Sequence, residues 1–319
     1  MKYNRGVRVF SLLLCACIVL CSCGGSGSDS SPFSSNNHDS TTSKKDPNKR
    51  GSWDNTPIIL TPSADQTEAY SCDVATIEAS HSCEGYIMVN YCGTNPKVKL
   101  QITGPDKNTY TYDLNGGYET FPLTAGSGSY NVGVYENLVG TQYITTLSQD
   151  ITVDITNEFG PYLYPNQYVN FEHSTSTVNK GSELAFCCDN DIEVVEQVYN
   201  FIIENFTYDY DKAETAKSGY LPDVDSILAS NTGICFDYAA VMATMLRTQS
   251  IPTRLEVGYV GQDYHAWIST YIKDIGWVNG IIQFDGDTWN LMDPTFASTS
   301  PSPKDFITED SDYITKYVY

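Results

Sequence analysis

A chain of 319 residues has room for two domains, each large enough to bury its own core. With 41% hydrophobic and 18% charged residues it reads as a folded soluble protein. Its net charge of −21 argues against nucleic acid or anionic lipid as a partner and leaves cationic or neutral ones.

The N-terminus carries the first motif. Lys2, Arg5 and Arg8 precede an apolar run from Val9 to Cys21. Such a run is too short to span a bilayer and suits the central region of a signal peptide. Leu20-Cys21-Ser22-Cys23 resembles a bacterial lipobox, with Cys23 as the lipid-attachment residue and residues 1–22 as the leader. Residues 23–55 are rich in Ser, Asn, Gly and Lys and are expected to form a flexible tether. The expected location is the bacterial cell surface, with the lipid as the only membrane contact.

Residues 56–158 show short alternating runs, such as Lys97-Val98-Lys99-Leu100-Gln101-Ile102 and Gly128-Ser129-Tyr130-Asn131-Val132-Gly133-Val134-Tyr135. Turn residues punctuate them, for example Gly104-Pro105-Asp106 and Asn115-Gly116-Gly117. Alternation and spacing predict an Ig-like antiparallel β-sandwich. Three of its residues are cysteines, Cys72, Cys83 and Cys92, an odd number for disulfide pairing. Its one histidine, His81, belongs to no catalytic motif.

Residues 159–319 switch period. Ile192, Val195, Val198, Tyr199, Ile202, Ile203 and Phe206 recur at helical spacing behind the capping residues Asp189, Asn190 and Asp191. A second helix starts at Cys235, is apolar on most faces and stops before Pro252, so it is expected to be central and buried. Strands follow at about 253–260, 264–271, 276–283 and 288–293. The overall expectation is α+β: a sandwich followed by helices and a meander packed on the central helix.

Cysteine at a helix start meets free N–H groups and the positive end of the helix dipole, an environment that favours thiolate over thiol. His265 opens a strand, where it shares a face with Trp267. Asp293 ends the last strand and supplies the carboxylate that fixes an imidazole tautomer. A zinc site would need a fourth ligand and closely spaced ligand pairs, which are missing. The pair Asp209 and Asp211 and the turn with Asp285 and Asp287 do not have the spacing of a calcium loop. No metal or other cofactor is therefore expected.

Three segments carry a resemblance. Gly233-Ile234-Cys235-Phe236-Asp237-Tyr238-Ala239, His265-Ala266-Trp267-Ile268 and Trp289-Asn290-Leu291-Met292-Asp293-Pro294-Thr295 look like the three motifs of the transglutaminase-like superfamily. Phe206-Thr207-Tyr208-Asp209 resembles the family's approach to its core, and the likeness covers roughly residues 192–296. It implies a papain-like fold with Cys235 as nucleophile, His265 as general base and acid, and Asp293 as the orienting acid. Acyl transfer from a peptide or protein amide through a thioester follows from such a triad. Amide hydrolysis is the leading expectation; cross-linking and non-catalytic peptide binding are the alternatives. Trp267, Trp289 and Tyr238 are candidates to line the substrate cleft.

Overall fold

The computed structural model describes residues 45–279, 281–284, 289–292 and 313–319, with backbone alone at 279, 281–284 and 289–292. The leader, Cys23 and most of the tether lie outside the described residues, as do Asp293 and the turn at Asp285 and Asp287. The described residues belong to one compact unit, Thr41–Tyr319. It is a mixed α and β structure built on antiparallel sheets with few helices.

Two four-stranded antiparallel sheets come first. One has the order β1 (Ala69–Ser71), β2 (Ala75–Glu78), β3 (Tyr86–Tyr91), β6 (Gly117–Pro122). The other has the order β5 (Thr109–Leu114), β4 (Val98–Thr103), β7 (Gly128–Val139), β8 (Gln142–Val153). Alternation decides what they bury. In β4, Val98, Leu100 and Ile102 are buried while Lys99, Gln101 and Thr103 are half-exposed. Ile77, Ile87, Val89 and Phe121 from the first sheet share a core with Leu100, Tyr112, Val132 and Val134 from the second. Each such side chain, fully buried, contributes about 1.5–3 kcal/mol. The turn from β5 to β6 needs left-handed backbone at Gly116 (φ 97°) and Gly117 (φ 76°), which glycine adopts without strain.

A histidine cluster holds one corner of this region. His81 lies between Glu84 (Nδ1 to Oε1, 3.0 Å) and Asp65 (Nε2 to Oδ2, 2.8 Å). The Glu84 hydrogen bond, with help from Asp65, raises the imidazole's pKa. Its stabilising effect is therefore complete below the ordinary histidine range, about 6.5, and is lost as pH rises through the raised folded value. The carboxylates of Asp65 and Glu84 are held below their ordinary range, mainly by the His81 hydrogen bond and by Tyr164 respectively, so their share is lost on acidification. His81→Gln is expected to flatten the dependence of unfolding midpoint on pH between about 6 and 8. An unchanged profile in urea titrations across that range would contradict this.

The second half starts with helices. They are α1 (Ser176–Ala185), α2 (Asp191–Asn205), α3 (Tyr210–Thr215), α4 (Val224–Ser230) and α5 (Cys235–Arg247). Asn190 caps α2 by accepting the Glu193 N–H at 3.0 Å. A two-stranded parallel pair, β9 (Thr207–Tyr208) and β10 (Thr232–Gly233), leads into α5. A four-stranded antiparallel sheet packs on α5, in the order β13 (Gly276–Asn279), β12 (Asp263–Ile272), β11 (Thr253–Val260), β16 (Tyr313–Val318). The segments 281–284 (β14) and 289–292 (β15) pair with each other as a separate two-stranded sheet.

The end of the expected tether is docked. The Gly51 N–H donates to Phe186 O and the Trp53 N–H to Cys188 O, each at 2.9 Å, and the Ile58 N–H donates to Thr248 O at 2.8 Å. Lys45 pairs with Asp189 and Glu193. Residues 45–58 thus run along the helical region, because their backbone donors meet carbonyls left open at helix ends.

Candidate functional site

The candidate nucleophile is placed by the helix it opens. Every residue of α5 from Asp237 to Arg247 is buried, so core packing fixes the helix. Its cap residue, Ile234, offers no side-chain acceptor. Asp237, in the first turn, folds back and accepts the Ile234 N–H at 2.9 Å. Gly233 makes room for that fold: a Cβ there would lie 2.7 Å from Asp237 Cβ and 2.8 Å from its Oδ2. Cys235, the first helical residue, is partly exposed.

Tyr208 is brought to Cys235 by the parallel pair. Tyr208 lies opposite Gly233 in the register, and the Asp209 N–H donates to Gly233 O at 2.9 Å. The Tyr208 phenol is directed toward the backbone N–H of Cys235 and lies within electrostatic reach of its thiol. Burial, with a lesser contribution from Cys235, pushes this phenol up to about 12. It therefore keeps its own proton at neutral pH and can donate it.

β12 brings the histidine. His265 is buried, lies opposite Gly258 of β11, and stacks on Trp267 with ring centroids 6.3 Å apart. Its strand neighbour Tyr264 lies within electrostatic reach of Cys235. Tyr208 and Tyr264 thus lie within electrostatic reach of Cys235, and His265 follows Tyr264 on β12, on the strand's other face. Strand β15 ends at Met292, one residue before the candidate Asp293.

Two cleft candidates turn out to be core residues. Tyr238 has no exposed surface and packs edge-on against Phe206 and Tyr208. It occupies the buried face of α5, one turn beyond Cys235. Trp267 is 3% exposed and packs against Tyr313 of β16. Trp289 lies on β15, and its side chain is outside the described set. The exposed rings that pack on Tyr208 and Tyr264 are tyrosines. Tyr210 (64% exposed) packs on Tyr208, and Tyr259 (39%) on Tyr264 (61%). The sequence signal for Tyr208 and Tyr210 is the run Phe206-Thr207-Tyr208-Asp209-Tyr210, whose closeness to Cys235 depends on the β9–β10 pairing. Asp209 caps α3 by accepting the Lys212 N–H at 2.9 Å.

Residues 182–280 match the model of the transglutaminase-like superfamily. The chain carries a transglutaminase-like domain. The matched stretch of this transglutaminase-like domain includes Cys235 and His265 and ends before Asp293. The uncharacterized protein YebA of Bacillus subtilis (strain 168) is 20% identical over 219 residues, which cover 61% of this chain and 28% of YebA. The chain thus spans little more than a quarter of that relative's length. Among solved structures, a candidate cysteine protease from Cytophaga hutchinsonii is 14% identical (79% of this chain, 74% of that one) with a TM-score of 0.38. Red sea bream transglutaminase is 14% identical (66% and 48%) with a TM-score of 0.29. The periplasmic domain of TgpA from Pseudomonas aeruginosa is 16% identical (68% and 75%) with a TM-score of 0.31. All three scores fall below 0.5, so the chemistry rests on this chain's own residues.

Proposed function

We propose that this protein is an exported, lipid-anchored thiol enzyme that hydrolyses peptide or protein amides through Cys235, His265 and Asp293. The observation that carries the proposal is Cys235 at the open start of a buried helix within the transglutaminase-like domain, with its N–H facing Tyr208. In this reading the domain is papain-like, and the two N-terminal sheets form an Ig-like spacer between it and an anchor at Cys23.

The reaction follows from the groups named. His265 takes the Cys235 thiol proton, and the sulfur attacks the amide carbonyl. The carbonyl oxygen sits between the Cys235 N–H and the Tyr208 hydroxyl, and both donate to it as negative charge develops. The imidazolium gives its proton to the leaving amine, and a thioester remains. Water, deprotonated by His265, attacks the thioester and releases the acid and the thiol. Asp293 holds the imidazole in the tautomer this cycle needs.

The acceptor is tested by incubating the protein with a peptide library and a fluorescent primary amine. Hydrolysed peptides without amine incorporation are expected. Amine incorporation would replace hydrolysis with cross-linking. No product in either channel would leave peptide binding without turnover.

A further inference from the structure

Between Asp209 and Tyr220 the chain leaves the first turn of α5 and returns to it. At the departure, the Asp209 N–H is bonded to Gly233 O, two residues before Cys235. At the return, the Tyr220 hydroxyl donates to Asp237 Oδ1 at 2.6 Å, two residues after Cys235. Between these feet, Lys212 of α3 points inward. Its ammonium donates to Asp237 Oδ2 and to Tyr220 Oη, both at 2.6 Å, and lies 4.5 Å from the Tyr220 ring centre.

Asp237 has no exposed surface. A carboxylate so placed must be neutralised and hydrogen-bonded, or it destabilises the fold around it. It meets three donors: the Ile234 N–H, the Lys212 ammonium and the Tyr220 hydroxyl. Two of them belong to segment 209–220, which also carries Tyr210 against Tyr208. The same carboxylate therefore shapes the turn that presents Cys235 and fixes the segment beside it.

We infer that Asp237 is a positioning residue for Cys235, and that the Lys212–Asp237–Tyr220 cluster pins segment 209–220 as a fixed wall next to the nucleophile. The inference rests on the reading of Cys235 as the nucleophile. The Lys212 cation also balances the Asp237 charge. Without it, an uncompensated carboxylate two residues from Cys235 would oppose thiolate formation, and one foot of the segment would come loose. Both effects have the same sign, so Lys212→Met is the clean test. Asp237→Asn mixes signs, because it frees a cation while it unpins the turn.

The experiment combines site-resolved alkylation by iodoacetamide across pH with amide hydrogen exchange, on the full chain. The exposed thiols Cys72, Cys83 and Cys92 serve as internal references. Lys212→Met is expected to slow alkylation of Cys235 about tenfold at pH 7 and to displace its rate profile toward higher pH by about one unit. Exchange should rise in 209–220, the reference thiols should keep their rates, and Lys212→Arg should recover most of the loss. A purely structural role would lower the unfolding midpoint without moving the Cys235 profile. Primed wild-type Cys235 with an unchanged profile in Lys212→Met overturns the positioning role alone. Wild-type Cys235 reacting no faster than the references overturns the nucleophile reading and this proposal with it.

Discussion

Replacing His265 by alanine is expected to lower peptide-amide turnover by about 100- to 10,000-fold, the range lost when a positioned acid–base group is removed. Cys235→Ala should reduce it to background, since no thioester can then form. The two losses should not add: with the nucleophile gone, the base has nothing to activate. Tyr208→Phe removes a hydroxyl directed toward the Cys235 N–H without removing the ring from its place against Tyr238. It should lower kcat by about 100-fold or more while KM stays near wild type, the signature of a contact made in the transition state. Steady-state kinetics on a cleaved library peptide checks all three. A raised KM with kcat unchanged for Tyr208→Phe would place that residue in binding instead.

Arg247→Ala is expected to have the largest effect on stability, on the order of 3–5 kcal/mol. Arg247 closes α5 and is 1% exposed. Its Nε donates to Thr253 O at 2.9 Å, and its two terminal nitrogens donate to Tyr164 O and Tyr319 O, each at 2.8 Å. It thus ties the helix to the start of β11, to the segment that follows the N-terminal sheets, and to the residue after β16. Burial lowers the guanidinium to about 9, a cost the fold bears in exchange for three carbonyl bonds. Alanine leaves both a cavity and open carbonyls. Lysine cannot reach three acceptors in different directions and should recover little. Urea unfolding with an unchanged m-value and a lowered midpoint is the expected result. A midpoint within error of wild type would mean that water or neighbouring donors satisfy the carbonyls.

The sequence was informative where local pattern and tertiary role coincide. The start of α5 at Cys235, the span of α2 and the limits of β11 follow from apolar spacing, caps and Pro252, and the structure shows them. Other elements leave weaker local marks. Strand β16 pairs with β11 from more than fifty residues away, and such pairing leaves no periodic trace. Helix α1 reads as polar and contains Gly181, yet it forms because that glycine lets it approach α5: a Cβ there would lie 3.0 Å from Met245 Cα. The misassigned rings have a common cause. Tyr238 and Trp267 lie in the motifs that carry the family resemblance, but motif membership does not say which side of a helix or strand faces solvent. Tyr208 was legible only as part of an upstream run; its place beside the start of α5 needed the β9–β10 register.

The proposed chemistry rests on Cys235 as a nucleophile primed by its surroundings and by His265. Its most direct test is intact-mass alkylation of the protein by iodoacetamide across pH, with peptide mapping of Cys235, for wild type and His265→Ala. Wild-type Cys235 is expected to react faster than Cys72, Cys83 and Cys92 well below pH 8, and removing His265 to slow it toward their rate. Alkylation of Cys235 at an ordinary thiol's rate, unchanged in His265→Ala, would rule out a primed nucleophile and leave a peptide-binding or structural role.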